Sequence, residues 1–372
     1  MKRSFVEIDL ERLRENVRNV RAALTEGTSL IFVVKACGYG HGVVPLVTAA
    51  AREGVDWFSV AYLHEALEVR DAVPESDILV LGVVEPDDVP VLLEKRITPI
   101  VVSAEHGRSL ARVAAGLNRR LRVHVKVDTG MGRLGIPVSS FAGAAGLLAA
   151  ENGLEISGIC SHFSMVEPDH PEAAEKQVRH FRKAADIVES LIGRSVMKHI
   201  SSSRACLYMP QWDFDAVRLG IVMYGYGASG TEGRFKTRPI LQWKTSVMQV
   251  RNVPSGFSVS YYGTYVTETD TSIAIISLGY ADGYLRTLSN RGYVLIRGQR
   301  YPVVGRVTMN WICIDLGANS DVERGDEVVM IGEQGGEMVW ASELARYCRT
   351  IPYEIITGIH PGIPRHYLTS QE

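Results

Sequence analysis

Little in this 372-residue chain points to the cell exterior or to a membrane. It carries five cysteines, Cys37, Cys160, Cys206, Cys313 and Cys348, an odd number with no CxxC pair among them. That argues against a disulfide framework and leaves free thiols in a reducing compartment as the simplest reading. The N-terminal MKRSFVEIDL has no apolar core of the kind a secretory signal needs, and no apolar run approaches bilayer-spanning length. Charge of one sign is scarce too. The formal net charge is −2 and no long basic run occurs, so no field would steer a nucleic acid, and a charged substrate must be held by local groups. Internal repeats, low-complexity tracts and a metal-ligand motif are also missing. These absences predict a cytoplasmic globular protein without a nucleic-acid, membrane or metal partner.

What is present is a large apolar reserve, 46% hydrophobic against 22% charged residues, enough for a core that needs no staples. Through the first part of the chain it falls into eight short runs, at 30–34, 57–61, 78–81, 97–102, 121–127, 156–160, 197–201 and 216–223. Several are β-branched and nearly continuous, the pattern of strands buried on both faces. Stretches of helical period at 10–24, 44–52, 63–73, 89–95, 104–117, 139–150 and 171–191 precede or separate them, while 203–215 is only weakly helical. Eight strands alternating with helices are the signature of a (β/α)8 barrel. The pattern changes near 231–239. Beyond it, runs at 243–250, 271–276, 293–296, 303–307, 311–314 and 327–331 read as strands, and only 341–348 reads as a helix. The expected fold class is α/β: an N-terminal (β/α)8 TIM barrel over 9–230, followed by a C-terminal mostly-β domain over 231–372.

In a parallel barrel the catalytic groups sit at the C-terminal ends of strands. Lys35 closes the first run and is followed by Ala-Cys-Gly-Tyr39-Gly-His41-Gly. The fifth run leads into Lys126-Val-Asp128-Thr-Gly-Met-Gly-Arg133, the sixth into His162, the seventh into His199-Ile-Ser-Ser202-Ser203, and the eighth carries Arg218. Five strands therefore deliver polar groups to one face. A lysine after Ile-Phe-Val-Val is drawn toward a low-dielectric site, where desolvation favours the neutral, nucleophilic amine. The glycines at 38, 40 and 42 would let backbone approach a ligand closely. On position alone Lys35 also reads as a strand-end lysine that snorkels to water. Likewise, His162 reads as a core histidine, Arg218 as half of a surface ion pair, Arg133 as a solvated loop residue and Tyr261 as a packed strand tyrosine.

Val33-Val34-Lys35-Ala-Cys-Gly-Tyr39-Gly-His41-Gly resembles the cofactor-lysine signature of the alanine racemase family. The likeness continues, in the family's order, through Lys126-Val-Asp-Thr-Gly-Met-Gly-Arg133-Leu-Gly, Ser161-His162-Phe, Arg218-Leu-Gly-Ile-Val-Met-Tyr-Gly, Val259-Ser-Tyr261, Gly279-Tyr280-Ala-Asp-Gly283, Val304-Gly-Arg306-Val-Thr-Met309 and Pro352-Tyr353-Glu354. It implies an enzyme that interconverts L- and D-alanine by two-base proton transfer with pyridoxal 5'-phosphate. It also implies that the segment 1–8 joins the β-domain as a strand. The family pattern is a head-to-tail homodimer in which each site takes its barrel from one chain and its second base from the other.

By that resemblance Lys35 binds the cofactor and is one base, and Tyr261 is the other. A tyrosine titrates near 10, so Tyr261 needs positive charge or hydrogen bonds that favour phenolate, and His162 is the candidate supplier. Arg218 would face the pyridine nitrogen and, as a group that does not release its proton, leave that nitrogen unprotonated. Tyr39, Ser203, the N–H groups of Gly220 and Ile221, and Tyr353 match the family's phosphate contacts. Arg133 would hold the substrate carboxylate, with Met309 of the partner chain helping, and Lys126 matches a lysine that family members often carry carbamylated. Tyr280, Arg286 and Arg306 match residues of the corridor leading to the pocket. D-alanine for a bacterial cell wall follows only by analogy.

Three departures from the family pattern bear on substrate range. Ser202 replaces an asparagine, Asn310 follows Met309 where aspartate is usual, and Ser161-His162-Phe-Ser-Met differs on both sides of His-Phe. A racemase of broader or different specificity (serine, lysine) is the nearest alternative. A non-catalytic cofactor-binding protein would lack the β-domain, and a decarboxylase would need a reactive cysteine where Cys313 lies in an apolar Trp-Ile-Cys-Ile stretch.

Overall fold

The structure, a computed structural model, describes residues 4–227 and 234–369. Over these residues the chain divides into two compact units, one of 13–38, 43–227 and 234–237, the other of 4–12, 39–42 and 238–369. The boundary expected at 230/231 lies outside the described residues.

In the first unit eight parallel strands stand in the order Ala216–Leu219, Ser29–Val33, Trp57–Val60, Asp77–Val80, Ile97–Val101, Leu121–Asp128, Leu154–Cys160, Met197–His199. A bridge between Ser202 and Arg218 brings the last strand back to the first, with the Arg218 N–H donating to Ser201 O at 3.0 Å. The sheet is thus a nearly closed barrel. Its strands follow the eight apolar runs because both faces are covered. Leu121–Asp128 shows how the pleat sorts residues. Leu121, Val123, Val125 and Val127 are fully buried, and the alternate positions Arg122, His124, Lys126 and Asp128 carry the polar groups. Deep in the barrel Ile31, Trp57, Leu79, Ile100, Cys160 and Ala216 form one apolar cluster, so the lower interior is packed core rather than a pore.

Helices connect the strands. Glu172–Ile192 buries Ala174, Val178, Phe181, Ala185 and Val188, a 3.6-period stripe, and stops at Gly193 in the left-handed region (φ +68°). The weakly helical stretch before the last strand is a short helix, Ser203–Tyr208, plus one 3-10 turn, Pro210–Trp212.

The second unit is built on a nine-stranded sheet. Its longest strand, Leu241–Val253, pairs antiparallel with Phe5–Asp9, Thr271–Ile276 and Glu327–Gln334. Phe5–Asp9 also pairs parallel with Arg365–Leu368, and Trp243 Nε1 anchors it by donating to Ser4 Oγ at 2.6 Å. A second helix here, Pro352–Thr357, corrects the expectation of one. It opens on a proline at its first position, where the missing N–H costs nothing. No helix among the described residues is long and apolar enough to cross a membrane.

Candidate active site

Lys35 directly follows Val34 at the end of its strand. The residues after it are unusual. Ala36, Cys37 and Tyr39 all have φ between +52° and +54°, and Gly38 continues the same left-handed turn. Each non-glycine residue there costs about 1–2 kcal/mol, which the surroundings must offset. Two bonds do so locally: the Ala36 N–H donates to Glu65 Oε1 at 2.6 Å, and the Gly38 N–H to Val34 O at 2.9 Å. Glu65 is itself buried and accepts the Ala61 and Tyr62 N–H groups through Oε2. Burial and the Arg133 guanidinium hold the Lys35 ammonium below its usual range, against the pull of Glu65. The lysine is therefore not a snorkelling strand end.

Arg218 is buried, and no carboxylate pairs with it among the described residues, so the ion-pair reading fails. Its Nη1 donates to His199 Nδ1 at 2.6 Å and to His199 O at 3.0 Å. Its Nη2 donates to Ser161 O at 2.7 Å, His162 Nδ1 at 3.1 Å and Ile200 O at 3.2 Å. Both terminal nitrogens are occupied, and only Nε–H makes no hydrogen bond among the described residues. Burial, Arg218, Lys126, Arg133 and Lys35 together push His162 down to about 2. His162 is thus a neutral ring that accepts from Arg218 through Nδ1, which leaves its Nε2–H as a donor. Of the two means expected of it, charge and hydrogen bonding, only the second remains.

Lys126 is half-buried. Burial leads the causes that lower its ammonium, with the Arg218 and Arg133 charges adding to it against Cys160 and Asp128, and its Nζ makes no hydrogen bond or ion pair among the described residues. Arg133 lies on the loop after the same strand, where Asp128 Oδ1 accepts the N–H groups of Gly130, Met131 and Gly132 at 2.8–3.1 Å. Arg133 bears on Lys35, Lys126 and Arg218, Arg218 bears on Lys126, and all four bear on His162, an arrangement that suits anionic groups on whatever binds there. Ser203 begins its helix at the end of the neighbouring strand, and its Oγ accepts the Gly220 N–H at 3.1 Å. The Gly220 N–H is therefore engaged within the chain rather than free for a phosphate. Ile221 follows it and is buried.

The second unit holds the remaining residues. Tyr39 and Tyr353 pack with ring centroids 5.6 Å apart, and burial pushes both phenols up, Tyr353 to about 12. The glycines expected to admit a ligand instead admit protein. A Cβ on Gly38 would stand 2.5 Å from Leu46, one on Gly40 2.7 Å from Ile356 O, and one on Gly42 1.9 Å from the Tyr367 hydroxyl. Tyr261, Tyr280, Arg286, Arg306, Met309 and Asn310 line one open cavity of about 430 Å³. Tyr261 itself sits on a strained turn between Ser260 (φ +64°) and Tyr262 (φ +65°). The Ser260 hydroxyl donates to Arg306 O at 2.8 Å, and Val259 beneath packs on Ile273 and Val304. The turn is firmly built, yet Tyr261 is 67% exposed and Tyr262 88%.

Comparison with known proteins settles the family. Residues 8–228 match the family model for the N-terminal domain of alanine racemase, and residues 240–367 match the one for its C-terminal domain. The chain belongs to the alanine racemase family. A relative from Symbiobacterium thermophilum named alanine racemase is 39% identical over 369 residues, 99% of this chain and 97% of the relative. The crystal structure of alanine racemase from Streptomyces lavendulae superposes with a TM-score of 0.92 at 34% identity, covering 100% of this chain and 98% of that one. The enzyme from Bacillus anthracis with bound L-Ala-P gives 0.90 at 34%, covering 100% and 97%. The enzyme from Bartonella henselae with covalently bound pyridoxal phosphate gives 0.88 at 25%, covering 99% and 100%.

Against the family pattern, Ser202 stands at the N-cap of Ser203–Tyr208 but its hydroxyl makes no hydrogen bond among the described residues, so the lost asparagine amide is not replaced by Ser202 itself. Ser161 Oγ donates inward to Val127 O at 2.8 Å, a structural bond. Asn310 is exposed on the cavity of Tyr261. Cys313 is partly buried with its thiol pushed up, which does not suit a reactive cysteine.

Three residues escape the sequence reading: Glu65, Gln177 and His124. Gln177 lies on the buried stripe of Glu172–Ile192, accepts the Ser164 N–H at 2.9 Å, and donates to Thr129 Oγ1 and His162 O at 3.0 and 3.1 Å. A polar residue in phase with a helix's apolar face is the signal that would find it. His124 can be reached by counting back two residues from Lys126 on an alternating strand.

Proposed function

We propose that this chain is a pyridoxal-phosphate-dependent alanine racemase whose two proton-transferring groups, Lys35 and Tyr261, come from different chains of a homodimer. One observation carries most of the weight: Arg218 is pinned by five bonds so that, among the described residues, only Nε–H is left without a partner, and its charge and that of Lys35, an amine held toward its neutral form, both reach His162. That pair fits a pyridine ring whose nitrogen accepts a hydrogen bond without taking a proton. The Arg133 guanidinium nearby fits the substrate's carboxylate. When bound, the cofactor supplies the electron sink that makes the substrate's Cα–H acidic.

The remaining roles belong to the chain. Lys35 Nζ takes or returns the α-proton on one face of the substrate. Tyr261 Oη, contributed by the partner subunit, does so on the other, and the neutral His162 stabilises its phenolate through Nε2–H. Arg133 binds the carboxylate with its planar fork, aided by the backbone of Met309, and Lys126, carbamylated, would hold Arg133 in place. Ser203, Ile221, Tyr39 and Tyr353 bind the phosphate, with Gly220 acting through the Ser203 hydroxyl. Tyr280, Arg286 and Arg306 frame the approach. The exposed Tyr261, Tyr262, Met309 and Trp311 favour the shared-site dimer, since a contiguous apolar patch marks an interaction surface. The free cysteines favour the cytoplasm, and cell-wall D-alanine is proposed on family analogy alone.

A wider substrate range is the second reading, favoured by the neutral Asn310 on the Tyr261 cavity. Racemisation assays of the purified protein with pyridoxal phosphate on alanine, serine and lysine test both. Turnover of alanine above the other two supports the proposal. Turnover of none of them overturns it.

A further inference from the structure

Below Arg218 the hydrogen-bond chain does not stop at His199. Its Nε2 lies 2.8 Å from Nδ1 of His124, on the neighbouring part of the barrel interior. Both rings are fully buried. His124 is closely packed: its ring lies 5.9 Å from that of Trp57, and Gly158 on the adjacent strand leaves its space, since a Cβ there would come within 2.6 Å of three ring atoms. Yet its Nε2 is buried with no hydrogen-bond partner. A buried imidazole nitrogen left unpaired is costly, and an apolar residue would have avoided it.

Donor accounting explains why the ring is there. An arginine only donates, so His199 Nδ1 must accept from Arg218. A neutral imidazole has one donor and one acceptor, so His199 Nε2 carries the hydrogen and must give it to something. His124 Nδ1 is the acceptor in reach, which places the His124 hydrogen on Nε2, the atom left without a partner. Without that acceptor the His199 hydrogen has an orphaned position on Nε2 and a repulsive one on Nδ1, facing the Arg218 N–H. Either choice loosens the lower side of the guanidinium whose upper side meets His162.

We propose that His124 is a positioning residue, which fixes the tautomer and ring plane of His199 and through it the orientation of Arg218, and that its own unpaired nitrogen is the stability cost of doing so. This rests on the racemase reading above. His124 touches neither substrate nor cofactor.

Two substitutions separate this role from plain packing. His124→Leu fills the space without an acceptor, and His124→Asn returns an acceptor oxygen near the place of Nδ1. In His124→Leu we expect kcat for alanine to fall about tenfold with KM little changed, the size of effect one lost orienting bond allows, and the thermal midpoint to hold or rise. His124→Asn should recover most of the loss. Ring-nitrogen NMR of 15N-histidine protein, which reads no activity, should show His199 as a single Nε2–H tautomer in the wild type and in His124→Asn, and mixed tautomers in His124→Leu. Wild-type kcat in His124→Leu would overturn the inference, as would an unchanged His199 tautomer there. Should His124→Leu not fold, a wild-type His199 carrying its hydrogen on Nδ1 is enough to sink it. A wild-type protein that racemises nothing is a different failure, that of the proposed function, and leaves the tautomer result to be judged by itself.

Discussion

Around Lys35 the following backbone and the Arg218 guanidinium are firmly held. Glu65 ties down the backbone that follows, Arg218 is held by two histidines and three carbonyls, and burial together with neighbouring cations lowers the pKa of Lys35, Lys126 and His162. Around Tyr261 the backbone is as strained as it is beside Lys35, with left-handed residues on both sides, but the side chain stands in the open. The contrast is informative because the strain is shared. Both sites bear the energetic cost typical of functional positions, and only one has its surroundings supplied by the same unit. A firmly built turn that presents a tyrosine to solvent supports the proposed shared site, in which another surface would complete it.

The comparison can be broken or sharpened in order of expected effect. Lys35→Ala should abolish the committed half, lowering racemisation by roughly 10⁴-fold, and borohydride treatment should no longer fix the cofactor's mass to the protein. Arg133→Gln should raise KM for alanine by roughly 10- to 100-fold through the lost charge-assisted pair. It should also move the acid limb of the rate profile to higher pH. The sign follows from Lys35: removing a cation that lowers its pKa lets the amine stay protonated, and inactive as a base, to higher pH. An unmoved limb would detach Arg133 from Lys35.

Acid stability tests the buried histidines. His124 and His162 sit near 3 and 2, and His199 well below 6.5. Above 6.5 folded and unfolded chains are both neutral at these rings and no penalty arises. Below 6.5 only the unfolded chain takes up protons, so each histidine should cost up to about 1.4 kcal/mol per pH unit until its folded pKa is reached. Denaturant titrations between pH 7 and 4 should show stability falling with acid, less steeply in His124→Leu. A flat profile contradicts the neutral-ring assignment. The smallest effect is expected from Gly158→Ala, whose Cβ meets the His124 ring and should cost about 1–3 kcal/mol by overpacking, read as a lower thermal midpoint.

Much of the barrel is legible in the sequence because a strand covered on both faces must be apolar throughout, and Thr271–Ile276, Tyr293–Ile296 and the helix Ala341–Cys348 are readable from period and turns. Arg365–Leu368 is not, since Arg, His and Tyr on an exposed edge strand carry no alternation signal. The strand-end rule singles out Lys35, Lys126, His162 and Arg218 from residue order alone. It does not reveal that the glycines after Lys35 yield to Ile356 and Tyr367 rather than to a ligand, because distant chain contacts leave no local trace. Nor does it reveal the state of His162. Its neutrality comes from burial and four cations brought together by folding.

The central claim is that one reacting carbon is served by two chains, and mixing two crippled proteins tests it. Lys35→Ala and Tyr261→Phe, each inactive alone, should be unfolded and refolded together with pyridoxal phosphate. In a shared-site dimer every mixed pair has one doubly damaged site and one intact site, so activity should return to about a quarter of the wild-type value at equal mixing. If the mixture stays as inactive as its components while mixed dimers demonstrably form, the lysine and the tyrosine do not meet across chains and the account is wrong.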